Sequence, residues 1–175
     1  MAQRNILLML PVFCLISCQS KKAADLNTAL LDAERAAFNI IVGKDGPNER
    51  KLKCFIDGDF KCARQAVDEK ELAFNQIINK IEVVETSNIE YGNDLKKAAI
   101  NYYDALKQLE IADRREIALQ QLSQDKTITT QLRDSIIVKQ GQLLNQKLEM
   151  RKFINKKENK LAEIQKQFKL AKHLN

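Results

Sequence analysis

From Phe60 to Val84 the chain sets one residue type apart in alternating steps of three and four: Phe60, Ala63, Val67, Lys70, Phe74, Ile77, Ile81 and Val84. Lys70 is the only charged member of the series. An α-helix turns once in 3.6 residues, so this spacing gathers all eight positions into one stripe. A stripe that regular asks for a second long helix lying along it. A strand, whose faces alternate at every residue, cannot use it. The rest of the chain agrees, because five glycines and two prolines in 175 residues are too few to turn a sheet protein. The expected fold is all-α: an antiparallel bundle of three to four long helices with coiled-coil-like packing.

The other helices follow from the same periodicity. Leu26, Leu30, Ala33, Ala37 and Ile40 predict a first helix over 25–41. Gly43, Gly46 and Pro47 predict a loop over 42–51. The heptad helix is expected over 60–85, with Asp59 as its N-cap. A third helix begins either at Ser87, which has capping-box spacing to Glu90, or at Asp94, and runs to about 122. Leu95, Ala99, Tyr102, Leu106 and Leu109 form its face. Residues 123–127 read as a short break. A last helix over 128–174 carries Leu132, Ile136, Leu143 and Leu144, then Ile154, Leu161, Ile164, Phe168 and Ala171. Lys147, Arg151 and Lys157 interrupt that seam, and Gly141 marks a candidate bend.

The N-terminus carries a different signal. Arg4 precedes an apolar run from Ile6 to Ile16 that is broken only by Pro11. The run is shorter than the roughly twenty residues a membrane-spanning helix needs, and it has the length of a signal-peptide core. It closes on Leu15-Ile16-Ser17-Cys18 and is followed at once by polar Gln19, Ser20, Lys21 and Lys22. Leu-aliphatic-small-Cys resembles the lipobox of bacterial lipoproteins. That resemblance implies cleavage before Cys18 and thioether diacylation of Cys18. The expected organisation is a signal peptide over 1–17, a lipid-anchored tether over 18–24 and one helical domain over 25–175.

Beyond Cys18, Cys54 and Cys62 are the only cysteines of the mature chain. The compartment outside the inner membrane is oxidising in many bacteria, so a disulfide between them is expected, with two buried free thiols as the alternative. On one straight helix the two would stand about 12 Å apart, too far to bond. The turn at Asp57-Gly58-Asp59 and the disulfide therefore stand together. A zinc site lacks ligands, since His173 is the single histidine. No cofactor is expected. Asp57-Gly58-Asp59 lacks EF-hand spacing, and there is no phosphate loop or nucleophile elbow, so no catalytic residue is assigned.

Charge is uneven along the chain. From Lys139 onward ten basic residues face three glutamates, against a whole-chain charge of +6, so the part before Lys139 is nearly neutral. A solvated face is one reading. The functional one is contact between Lys147, Arg151, Lys152, Lys156 and Lys157 and an anionic envelope polymer, lipid phosphates or an acidic protein partner. Nucleic acid is not an expected partner of an exported chain.

The lipobox at Cys18, the Asn- and Lys-rich helical body, Leu95-Lys96-Lys97-Ala98-Ala99 with Tyr102-Tyr103, and Phe168-Lys169-Leu170-Ala171-Lys172 together resemble helical lipoproteins of Bacteroidota. Some spirochaete surface lipoproteins are similar. Such families bring no catalytic residues to carry over. Gln-Ser-Lys-Lys after Cys18 departs from the acidic tract of surface-exported members. That implies an outer-membrane position facing the periplasm, with surface exposure as the alternative. The resulting expectation is a lipid-anchored, non-enzymatic interaction or structural module of the cell envelope. The alternative is a periplasmic chaperone-like or ligand-binding lipoprotein that uses an exposed apolar seam.

Overall fold

The Phe60 stripe is the spine of the molecule. In the computed structural model, which describes the backbone from Leu10 to Lys172 and side chains from Lys21 to Lys172, Phe60, Ala63, Val67, Lys70, Phe74, Ile77 and Ile81 are all buried. Among the described residues six helices follow one another: α1 (Leu10–Ile41), α2 (Pro47–Ile56), α3 (Phe60–Glu82), α4 (Gly92–Ile111), α5 (Asp113–Ser123) and α6 (Thr130–Lys172). No strand occurs among the described residues. Helix α3 packs against α1, α2, α4 and α5, while α6 lies along α4 and α5 on the far side. The α3–α4 and α5–α6 pairs are antiparallel: Lys107 Nζ donates to Asn75 Oδ1 and Lys96 Nζ to the Val84 carbonyl, and Asp113 meets Lys147 while Gln120 meets Gln140. The expected antiparallel all-α bundle is the observed one.

Two apolar clusters fill it. The larger joins Leu26, Leu30, Ala33, Ala37 and Ile40 of α1 to Phe74, Ile77 and Ile81 of α3, Leu95, Ala99 and Tyr103 of α4, and Phe168 of α6. The smaller holds Cys54, Phe60, Ala63, Val67 and Ile117. On α3 the two clusters are separated by Lys70.

Several boundaries differ from the sequence expectation, each for a local reason. Residues 18–24, expected as tether, are helical, and Ala23 is buried in the larger cluster. Ala23 stands three residues before Leu26 and so extends the same stripe, with no glycine or proline to end the helix. The 42–51 loop is shorter than expected, because α2 begins at Pro47. Proline breaks a helix interior but suits the first turn, where its missing N–H would have no partner. Ser87 to Glu90 is a turn rather than a helix start, and α4 begins at Gly92. The third helix is divided at Ala112, where neither glycine nor proline marks the join. Helix α6 is unbroken at Gly141 and, at 43 residues, about 65 Å long. Residues 1–9 of the segment expected as signal peptide (1–17), and His173, lie outside the described residues, while 10–17 form the start of α1.

Candidate functional site

Gly58 takes φ +75°, a left-handed conformation that glycine adopts without a steric penalty. It reverses the chain between α2 and α3. Asp59 then caps α3, its carboxylate accepting from the Cys62 N–H at 2.9 Å. The turn brings the Cys54 and Cys62 Cα atoms to 5.7 Å, and the two cysteines are joined by a disulfide. The expected pair and the expected turn are both present.

The sequence reading missed what surrounds Lys70. Lys70 is fully buried, and its ammonium donates to Glu110 Oε2 at 2.6 Å, to Asp113 Oδ2 at 2.8 Å and to Asn48 Oδ1 at 3.4 Å. Asp113 also accepts from Lys51 at 2.7 Å and, through Oδ1, from Lys147 at 2.7 Å. Lys147 donates in turn to Glu116 at 2.6 Å. Three lysines and three carboxylates therefore meet at one level, drawn from α2, α3, α4, α5 and α6. Asp113 follows Leu106 and Glu110 and precedes Ile117 in steps of three and four, so it continues the inward stripe of α4 into α5, and at the start of a helix a carboxylate also complements the dipole. Burial pushes the Asp113 carboxyl up. Lys70 and the hydrogen bonds from Lys147, Lys51 and Lys70 outweigh burial and hold it well below the usual carboxylate range. Burial likewise lowers the Lys147 ammonium, but the bonds to Asp113 and Glu116 raise it above the ordinary lysine value. The sequence signals were the charged members of otherwise apolar stripes, Lys70 on α3 and Lys147 on α6.

This cluster revises the expected anionic contact. Lys147 is turned inward and neutralised, so it belongs to the core seam of α6 rather than to a surface. Lys157 is half-buried, its ammonium 4.8 Å from the Phe153 ring centre. Arg151, Lys152 and Lys156 are exposed, and Lys152 pairs with Glu149 at 2.7 Å. The five residues thus do not form one patch. The Cys18 side chain lies outside the described residues.

Of the surface grooves along the described residues, three follow seams between helices. One of about 420 Å³ runs between Phe55, Gln140, Leu144, Leu148 and Arg151. One of about 390 Å³ lies between α4 and α6 beside Asp94, Lys97, Lys157 and Lys160. The third, about 510 Å³, follows the outer α1–α3 seam. No group of three or more His, Cys, Asp or Glu is placed to hold a metal among the described residues, and no described helix is long and apolar enough to cross a membrane.

Fold and site define a helical bundle with a local disulfide and a saturated ionic layer across its middle. Comparison with protein-family models, with curated proteins and with solved structures finds no match.

Proposed function

We propose that this chain is a lipid-anchored cell-envelope protein, cleaved before and acylated on Cys18, whose helical body serves as a non-enzymatic interaction module on the periplasmic face of the outer membrane. The observation that carries this reading is the Cys54–Cys62 disulfide in a chain that also opens with a lipobox-like leader. A local disulfide suits an oxidising compartment, and Leu15-Ile16-Ser17-Cys18 suits the enzymes that acylate exported proteins. Two or more acyl chains hold a protein stably where one is marginal.

The geometry also supports a particular contact. Lys22, close to Cys18 in the chain, donates to Ser87 at the α3–α4 turn, and Ala23 shares its cluster with Phe168 near the end of α6. The anchored end of the bundle is therefore also the end that carries Lys166 and Lys169. Each basic side chain near an anionic bilayer contributes about 1 kcal/mol. Lys152 lies about 25 Å back along α6, beyond the roughly 8–10 Å over which salt lets surface charge act. Lipid phosphates thus meet the C-terminal lysines before the mid-helix ones.

Metabolic labelling with an alkyne fatty acid tests the anchor: wild type takes up label and Cys18→Ala does not, and equal labelling of the two rules the anchor out. For the contact, the acylated protein is reconstituted in vesicles and treated with an amine-reactive reagent. Lys166 and Lys169 are expected to react less in anionic than in zwitterionic vesicles, with reactivity recovering at high salt. Reactivity independent of lipid charge removes the contact and leaves the anchor standing.

A further inference from the structure

Helix α6 carries two apolar seams. The first, through Ile136, Leu143, Ile154 and Phe168, is buried against α4 and α5. The second is displaced by one residue, about 100° around the helix. It runs through Asp134, Ile137, Gly141, Leu144, Leu148 and Arg151, again in alternating steps of three and four. All six are exposed, Ile137 and Leu144 by 61% and 60%. Between Asp134 and Arg151 no member of the row itself is charged, in a chain that is 30% charged. An exposed apolar row without interspersed charge is what a soluble surface ordinarily avoids.

The order of these six residues selects a partner. Turned end for end about a two-fold axis midway between Gln142 and Leu143, the row meets itself in complementary layers. Asp134 faces Arg151, Ile137 faces Leu148, and Gly141 faces Leu144. These are the layers of an antiparallel coiled coil, in which opposite seam positions alternate. Each outer layer pairs an anion with a cation. Each of the two central layers sets Leu144 against Gly141, at which an added Cβ would meet nothing within 4 Å, so the knob has room. A parallel pairing would instead oppose Asp134 to Asp134 and Arg151 to Arg151, and leave a gap at Gly141.

We propose that α6 pairs antiparallel with α6 of a second copy of this chain, in the register that sets Asp134 against Arg151 and Gly141 against Leu144. The groove between Phe55 and Leu148 lies beside this seam and receives the flank of the partner helix. The seam is about 25 Å long, which suits a reversible dimer rather than an obligate one. The two anchored ends then stand about 80 Å apart. Both reach one bilayer when the long axis of the dimer lies along the surface. The pairing does not depend on the anchor.

The test is sedimentation velocity of the full chain in mild detergent over a hundredfold range of concentration. Wild type is expected to pass from monomer to dimer. Leu144→Glu abolishes the dimer, and circular dichroism shows the fold unchanged because the side chain is exposed. Asp134→Arg and Arg151→Asp each weaken the dimer about tenfold, and the two together restore it, since the pair is exchanged. Wild type that stays monomeric throughout overturns the proposal. So does a double exchange that fails to restore the dimer, because that removes the register. If Leu144→Glu leaves the protein monomeric like wild type but lowers its partition into vesicles, the face belongs to lipid and the dimer is refuted.

Discussion

Replacing Asp113 with alanine removes the one carboxylate that accepts from three lysines. What remains is unequal. Lys51 and Lys147 are partly exposed, at 14% and 18% of their side chains, so both can reach water, and Lys147 keeps Glu116. Lys70, at 0%, cannot, and is left with Glu110 and a long bond to Asn48. Removing one partner from a buried ion pair costs about 3–5 kcal/mol, mostly through the charge left behind. A domain of this size is stable by about 5–15 kcal/mol, so Asp113→Ala removes roughly a fifth or more of the total. At about 2–4 °C per kcal/mol, the melting midpoint drops by roughly 6–20 °C. Lys70→Met should cost less, because Asp113 keeps Lys51 and Lys147 as counter-charges. In the Lys70→Met background, Asp113→Ala should then cost at least about 1.5 kcal/mol less than it does alone, since no buried cation is stranded. Urea unfolding followed by circular dichroism measures all four proteins. A cost below about 1 kcal/mol for Asp113→Ala, the range of exposed pairs, would show that the cluster is not a buried lock. Strict additivity would show that Lys70 and Asp113 do not act as a unit.

The same cluster sets a pH dependence. The unfolded chain protonates Asp113 near the ordinary value of about 3.9, whereas the folded chain does so only at much lower pH. Its contribution is therefore full at neutral pH and declines as pH falls below about 4, and Asp113→Asn should flatten that acid limb in denaturation curves. Lys147 acts on the other side: its folded value is raised, so its contribution is full below about 10.4 and is lost above that, as pH rises through the folded value. Opening the Cys54–Cys62 bridge by Cys54→Ser with Cys62→Ser should cost about 2.5 kcal/mol on the chain-entropy argument for so short a loop, and intact-mass analysis after alkylation should find no free thiol at either position in unreduced wild type. Phe74→Ala, at a fully buried position, should cost about 3–5 kcal/mol, and a neutral result would remove Phe74 from the core seam.

The fold class and most seams were legible because they are local properties of a helix. Which residues share a face depends only on spacing, and spacing alone placed Leu26 to Ile40 and Phe60 to Ile81 in the core. The disulfide was legible because Asp57-Gly58-Asp59 announces a turn of the right length between the two cysteines. Helix α2 was not legible, because proline means opposite things inside a helix and at its first turn, and that difference lies in the hydrogen bonds of the neighbouring chain.

The ionic layer is of another kind. On α3, Lys70 reads as an interruption; on α6, so does Lys147. Each is a flaw in its own helix and a partner across the bundle. They become one feature only when α2, α3, α4, α5 and α6 are set at a common level around Asp113. A sequence by itself determines the period of each helix, because backbone hydrogen bonds fix 3.6 residues per turn whatever lies nearby. Only the tertiary structure decides which charges meet, because Coulomb attraction and desolvation depend on distances between residues as far apart in the chain as Lys51 and Asp113.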